Sequence, residues 1–246
     1  MSSMTWRDST GRALCDYPRP SIAVDVALLT LDDKGRLAVL LHERVEDYGS
    51  GQLALPGTFV REQELLREAA LRALRDKVGV TGEEPEQLRV FDDLQRDDRG
   101  RVMSVAHVDL VPPGCLGAGC SLVAISGFPP RALLPDGRGT LAFDHDKIVA
   151  AAVEWARDLY RAKPDPSHLI ADEFTLFDLQ RVHEAVAGRA LAKDAFRRGM
   201  LPLLEETGEV RRGVVGKPAR VFRRRRISTG KGQMERSRLT RRVQCD

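Results

Sequence analysis

Long apolar runs are missing from this 246-residue chain. No segment approaches the roughly 18 consecutive apolar residues that a membrane-spanning helix requires. The opening segment MSSMTWRDSTGRALCDYPRP has no basic stretch followed by an apolar core of leader-peptide length. No membrane partner is therefore expected, and a cytoplasmic location is. Cysteine is scarce as well: Cys15, Cys115, Cys120 and Cys245 are scattered, and only Cys115 and Cys120 lie close together. Zinc usually takes four N or S ligands, and none stands near that pair, so reduced thiols and no metal requirement are expected. His42, His107, His168 and His183 show no ligand spacing either.

What is present is enough to fold. A hydrophobic content of 42% excludes wholesale disorder and supports one large core or two modest ones. The net charge of +3 conceals a division: residues 1–170 hold 21 Lys/Arg against 26 Asp/Glu, a net of −5, and residues 171–246 hold 18 against 10, a net of +8. The two parts are expected to meet different partners.

Residues 21–31, SIAVDVALLTL, and 36–42, RLAVLLH, flank the turn signal DDKG and read as a buried hairpin. Within 62–77, Leu65, Leu66, Ala69, Ala70, Ala73 and Leu74 recur at helical spacing, and Gly79 follows as a stop. Residues 88–113 give two strands about an acidic turn, ended by Pro112 and Pro113. Gly and Pro keep elements short in 115–139, apart from a strand at 121–126. A helix fits 146–162, with Ile148, Ala152, Val153, Ala156, Leu159 and Tyr160 on its apolar face. His145, between Asp144 and Asp146, reads as part of an acidic cluster at the N-terminus of that helix, where the helix dipole favours negative charge.

KPDPSH, 163–168, reads as a stiff linker. Beyond it, Thr175 caps a helix with Asp178 three residues on, Leu176, Leu179, Val182 and Val186 line one face, and Gly188 ends it. A second helix spans 192–201 with Phe196 and Met200 inward, and 208–225 alternates as a hairpin around a Gly-rich bend. Helix, turn, helix and hairpin is the order of a winged helix-turn-helix. Lys193, Arg197 and Arg198 fall on the polar side of the second helix, where a recognition helix faces the major groove. Arg211, Arg212, Lys217 and Arg220 flank the hairpin bend, suited to a wing on the DNA backbone or minor groove. For any one of them a solvated basic face is the plainer alternative.

The expected domains are an N-terminal extension over 1–19, an α/β domain over 20–162, a linker over 163–170, a DNA-binding domain over 171–225 and a basic, disordered tail over 226–246.

Residues 55–80, LPGTFVREQELLREAALRALRDKVGV, resemble the Nudix box, a loop-helix-loop that holds Mg²⁺ or Mn²⁺ on helix glutamates for attack on a diphosphate. The resemblance places Glu64 on the first glutamate, Arg72 on the arginine, and Gly79 with Val80 on the closing pair. The metal-holding glutamates fall on Ala73, Asp76 and Lys77, and the box glycine on Thr58. Positions i, i+3 and i+4 share a helix face, and hard divalent cations need crowded oxygens there. Only one shortened carboxylate, Asp76, remains there, and the positive charge of Lys77 beside it repels a cation. A pocket in which Arg44, Arg72 and Lys77 hold a diphosphate without metal is the expectation.

ALPGTFV, RDDRGRVMSVAHVDLV, LAFDHDKIV, FTLFDLQRVHEAVAGRALAKDAFRRGML and GKPARVFR, in that order, resemble the Nudix-related transcriptional regulators across about residues 20–225. The family implies a Nudix-type α/β/α sandwich with a mixed sheet, then a winged helix-turn-helix. It also implies a homodimer that binds a palindromic double-stranded DNA operator, represses by default, controls NAD metabolism genes, needs no cofactor, and senses ADP-ribose or a related nucleotide. Arg44, Glu64, Arg72, Asp76 and Lys77 are the candidate ligand-binding residues, with no catalytic and no metal-binding residue expected. Leu53, where a tryptophan usually precedes ALPG, and Thr58 depart from the pattern. The rival reading is a Nudix hydrolase that cleaves a nucleoside diphosphate derivative such as ADP-ribose, using Glu62, Glu64, Glu68 and Asp76.

Overall fold

The computed structural model describes residues 6–45, 50–116, 121–127, 129–134, 139–211 and 218–225. Cys120, Cys245, Arg212, Lys217 and the tail lie outside the described residues. The elements run β1 (Ser21–Leu31), β2 (Leu37–Glu43), β3 (Leu53–Ala54), β4 (Gly57–Phe59), α1 (Leu66–Val78), β5 (Glu86–Phe91), β6 (Val102–Leu110), β7 (Ser121–Ser126), β8 (Arg131–Ala132), α2 (His145–Tyr160), β9 (Glu173–Thr175), α3 (Leu176–Ala187), α4 (Lys193–Met200), β10 (Leu204–Arg211) and β11 (Ala219–Arg224).

The first sheet has the order β5-β6-β1-β2-β7-β8, with β4 paired to β1 and β3 to β2. β1 runs parallel to β6 and antiparallel to β2, so the sheet is mixed. β1 reads as an unbroken apolar run because both its faces are covered. Val24, Val26 and Leu28 meet Ala69, Ala70 and Leu74 of α1 on one face. Ala27, Leu29 and Leu31 meet Ile148, Ala152 and Ala156 of α2 on the other. This is the expected α/β/α sandwich, and the hairpin at DDKG forms with Leu29 opposite Val39. Trp155 of α2 ties this layer to the sheet edge, its indole N–H donating to Glu86 on β5 at 2.7 Å.

Two local expectations change. α1 begins at Leu66, not at residue 62, and Leu65 is 69% exposed instead of sharing the apolar face. Its N-terminus is closed by Glu68, which accepts from the Leu65 backbone N–H at 3.0 Å. Gly79 takes the left-handed conformation at the C-terminal end, φ +70°, as its position suggested.

The second sheet has the order β10-β11-β9. The three-residue β9 was not legible in advance. Thr175 and Asp178 form the anticipated reciprocal cap of α3, and Phe196 and Met200 of α4 pack on Phe174, Leu179 and Leu204. This second core is not separate from the first: Val182 and Val186 of α3 belong to the same apolar cluster as α2. The segment expected as a linker is itself packed, with Asp165, Ser167 and Leu169 buried. Among the described residues no helix is long and apolar enough to cross a membrane.

Candidate functional site

The Pro-Gly turn at residues 56–57 lies directly on β1. A Cβ built at Gly57 would stand 2.1 Å from Asp25 Oδ1 and 3.0 Å from the Val24 carbonyl, so only glycine lets the loop approach this closely. The loop continues into β4 and then folds back against α1 through Arg72. That guanidinium forks onto Glu64, with Nε to Oε1 and Nη2 to Oε2 both at 2.7 Å. It also donates to Thr58 Oγ1 and to the Phe59 carbonyl, each at 2.9 Å. The Arg72 hydrogen bond is the main cause that holds the Glu64 carboxyl down to about 2. Arg72 and Glu64 therefore brace the loop, which corrects the expectation that Arg72 offers its donors to a diphosphate. Thr58, in the place of the box glycine, supplies one of the braces.

The face of α1 that would hold a metal carries Ala73, which is buried, Asp76, which pairs with Arg75 at 2.8 Å, and exposed Lys77. The residues present do not fit a divalent cation, since the nearest carboxylates are committed to arginine and a lysine occupies the third position. Lys77 instead belongs to a cationic rim. His42, at the end of β2, is driven toward its neutral form first by burial and then by the positive charges of Lys77 and Arg44. Lys77 and Arg44 therefore both lie near the His42 ring.

Aromatic rings adjoin this cationic group. Phe143, just before α2, adopts φ +54°, a conformation uncommon for a bulky side chain. The Arg44 guanidinium lies 4.9 Å from its ring centroid and that of Arg99 5.2 Å. Arg99, held by both oxygens of Asp97, also approaches the ring of Phe59 to 6.0 Å, and Phe59 is 48% exposed. Cationic and aromatic groups thus alternate from Phe59 through Arg99 and Phe143 to Arg44.

Beneath this row is a buried charge network that sequence reasoning missed. Arg96 donates to Asp144 at 2.8 Å and to Asp25 at 3.3 Å. Ser104 donates to Asp25 at 2.6 Å. His145 accepts from the Leu55 backbone N–H at Nδ1, so its proton is on Nε2, which faces Asp25 Oδ1 at 3.4 Å. Burial pushes the Asp25 carboxyl upward, but His145, Ser104 and Arg96 outweigh it and hold it at about 2. His145 is structural, and the acidic cluster does not cap the helix as expected: the N-cap residue Asp144 makes no side-chain cap hydrogen bond and pairs with Arg96 instead, while Asp146 accepts from the Leu141 N–H of the preceding loop at 3.0 Å. The signal was weak because the partners are 48 to 120 residues apart.

In the second half, Lys193, Arg197 and Arg198 stand exposed on α4, opposite buried Phe196 and Met200. The wing arginines are arranged otherwise. Arg211 pairs with Asp178 at 3.1 Å and Arg220 with Glu206 at 3.3 Å. The exposed cations of α4 and those of the wing are not brought into one equivalent set.

Comparison with known proteins follows the same division. The family model for the NUDIX domain matches residues 21–150, and that for the NrtR DNA-binding winged helix domain matches residues 166–224. The chain is 31% identical over 214 residues to the ADPR responsive transcriptional repressor NtrR of Acinetobacter baylyi, covering 85% of this chain and 83% of that protein. The chain belongs to the NrtR family. The crystal structure of Shewanella oneidensis NrtR complexed with a 27mer DNA is similar in fold, with a TM-score of 0.64 and 28% identity over 83% of this chain and 93% of that one. Outside the NrtR group, the ADP-ribose pyrophosphatase of Methanocaldococcus jannaschii is 32% identical over 139 residues, 56% of this chain and 76% of that protein.

Proposed function

We propose that the protein is a DNA-binding transcriptional repressor whose Nudix domain binds ADP-ribose, or a nucleotide closely related to it, without cleaving it. The observation that carries the second part is the α1 face, where Ala73 and Lys77 stand in place of oxygen ligands and Asp76 is paired with Arg75. The likeness to a repressor responsive to ADPR, which spans both domains in the same order, supports the first.

The cleft matches the chemistry of such a ligand. Lys77 and Arg44 on the rim offer charge-assisted hydrogen bonds to a diphosphate, while Phe59 and Phe143 offer ring faces to a base. Glu64 and Arg72 shape the loop between them. Lys193, Arg197 and Arg198 of α4 enter the major groove, and the paired wing arginines contribute less than their number suggests. Two copies of the chain, bound as a homodimer, read a palindromic operator, and control of NAD metabolism genes follows from the family. The Nudix likeness to an ADP-ribose pyrophosphatase keeps the hydrolase reading in view, and it demands a metal that the donor set does not suit.

One experiment separates the two readings. Duplex DNA from upstream of the protein's own gene is titrated with protein, with and without ADP-ribose, and the ligand is recovered afterwards. Retarded DNA released by intact ADP-ribose is the expected result. Mg²⁺-dependent release of AMP at enzymatic rates, with no DNA retarded, would favour the hydrolase.

A further inference from the structure

α2 belongs to two domains at once. Its N-cap residue Asp144 follows Phe143 directly, and Asp144 and the first helical residue His145 are locked into the buried network with Asp25 and Arg96. Its 16 residues span about 24 Å at 1.5 Å per residue. Along that length Ala152, Val153 and Ala156 share one core with Val182 and Val186 of α3. The last turns of α2 thus pack directly on α3, and Arg157 donates to the Val186 carbonyl at 3.4 Å.

The C-terminal end of α2 is fastened in two directions. The Tyr160 hydroxyl donates to Asp165 Oδ1 at 2.5 Å. Asp165 has no solvent exposure and adopts φ +48°. It also accepts the backbone N–H groups of Leu169 at 2.8 Å and Ile170 at 3.2 Å. Its other oxygen binds Arg224 of β11, the middle strand of the wing sheet. Arg224 further donates to the Asp165 and Ile170 carbonyls at 3.1 and 3.0 Å, and its guanidinium lies 5.1 Å from the Phe174 ring centroid. In the other direction the Tyr160 ring meets His183 of α3 at 5.1 Å, and His183 meets Phe196 of α4 at 5.0 Å. Tyr160 thus touches both routes out of the sensor domain, one to the wing and one to the exposed basic helix.

We infer that Tyr160, Asp165 and Arg224 are positioning residues that carry the state of the nucleotide cleft, through α2, to the winged helix. The proposal rests on the function proposed above. A flexible connector would let each domain bind its ligand without sensing the other. A buried ion pair at the end of a helix shared by both cores turns a small displacement at Phe143 and Asp144 into a rotation of α4 and β11 as one body. Loss of a fastening then changes the coupling between the ligands and not the intrinsic affinity for either.

The test uses the full chain, ADP-ribose and duplex DNA from upstream of its own gene, with the coupling factor taken as operator Kd with ADP-ribose over operator Kd without. Coupling between sites typically lies at roughly 5- to 150-fold. Tyr160→Phe and Asp165→Asn are expected to bring the factor toward one while each single-ligand affinity stays within about twofold. Asp158→Ala, on the exposed turn of the same helix, keeps the wild-type factor. Tyr160→Phe, which deletes one oxygen, decides the matter if Asp165→Asn does not fold. An unchanged factor in folded Tyr160→Phe overturns the inference. A wild-type protein that binds both ligands without mutual effect also overturns it, and leaves the binding functions standing. A protein that binds neither overturns both. Calorimetry supplies an independent reading: the shared core requires one unfolding transition for the chain, and two well-separated transitions would overturn the proposal.

Discussion

His183 lies between the rings of Tyr160 and Phe196, and its Nε2 has no hydrogen-bond partner among the described residues. Burial drives its pKa down from 6.5 to about 4, against the pull of the Asp165 charge. The folded protein therefore keeps this ring neutral while the unfolded chain takes up the proton first. The stability it confers is complete above pH 6.5, is lost as pH falls from 6.5 toward 4, and levels off below that. A shift of this size is worth on the order of 3 kcal/mol. His42 and His107, also displaced downward by burial, add to the loss below 6.5. Urea midpoints measured from pH 7 to pH 4 should fall steeply for the wild type and distinctly less for His183→Leu. Parallel curves for the two proteins would remove His183 as the cause. Asp25 acts at a lower window: its carboxyl at about 2 contributes stability above 3.8 that disappears as pH falls to 2.

At the scale of elements, α1 and α4 each make a charge argument that a substitution can check. Lys77 lies on the α1 face with Asp76 and Ala73, and it is the lysine, more than the missing side chains, that repels a cation. Lys77→Glu should produce Mn²⁺ binding detectable by calorimetry where the wild type shows none at the same concentration. Unaltered Mn²⁺ affinity would mean that the buried alanine, not the charge, closes the site. On α4, Arg197→Ala with Arg198→Ala should abolish operator retardation while ADP-ribose affinity and the melting temperature hold. These side chains are exposed and support no core. Unchanged retardation would move the DNA-contacting surface elsewhere.

The same elements show which parts of the fold were readable. α1, α2 and α3 announced themselves because apolar residues at helical spacing report burial directly, and Gly79 and Gly188 marked two ends. The exchange of hydrogen bonds between Glu64 and Arg72 was not legible, because spacing alone does not say whether an arginine faces a ligand or a neighbour. The network of Arg96, Asp25, Asp144 and His145 joins three distant segments and has no local pattern. Asp165 sat between two prolines in what looked like a connector, and only the fold brings Arg224, 59 residues away, to its carboxylate.

For the molecule as a whole, the division of charge follows the domains only in part. The acidic part contains the sandwich, whereas of the net +8 over residues 171–246 half belongs to the winged helix (171–225, 12 Lys/Arg against 8 Asp/Glu) and half to residues 226–246, outside the described residues; α2 joins the two domains. Coupling between two ligands is reciprocal for binding free energies. If ADP-ribose weakens operator affinity by a given factor, operator DNA must weaken ADP-ribose affinity by the same factor. Paired calorimetric titrations, with and without saturating DNA, measure the two factors independently. Unequal factors would show that a third species, such as a change in oligomeric state, enters the equilibrium.

The chain contains two tryptophans, Trp6 and Trp155. Trp6 is exposed at the N-terminal segment, whereas Trp155 lies on α2 with its indole N–H bonded to Glu86. An unlabelled sample therefore carries its own optical gauge on the helix that joins the two domains. A shift in ultraviolet emission on adding nucleotide, retained in Trp6→Phe and lost in Trp155→Phe, would let movement of that helix be timed in a stopped-flow instrument without any attached dye.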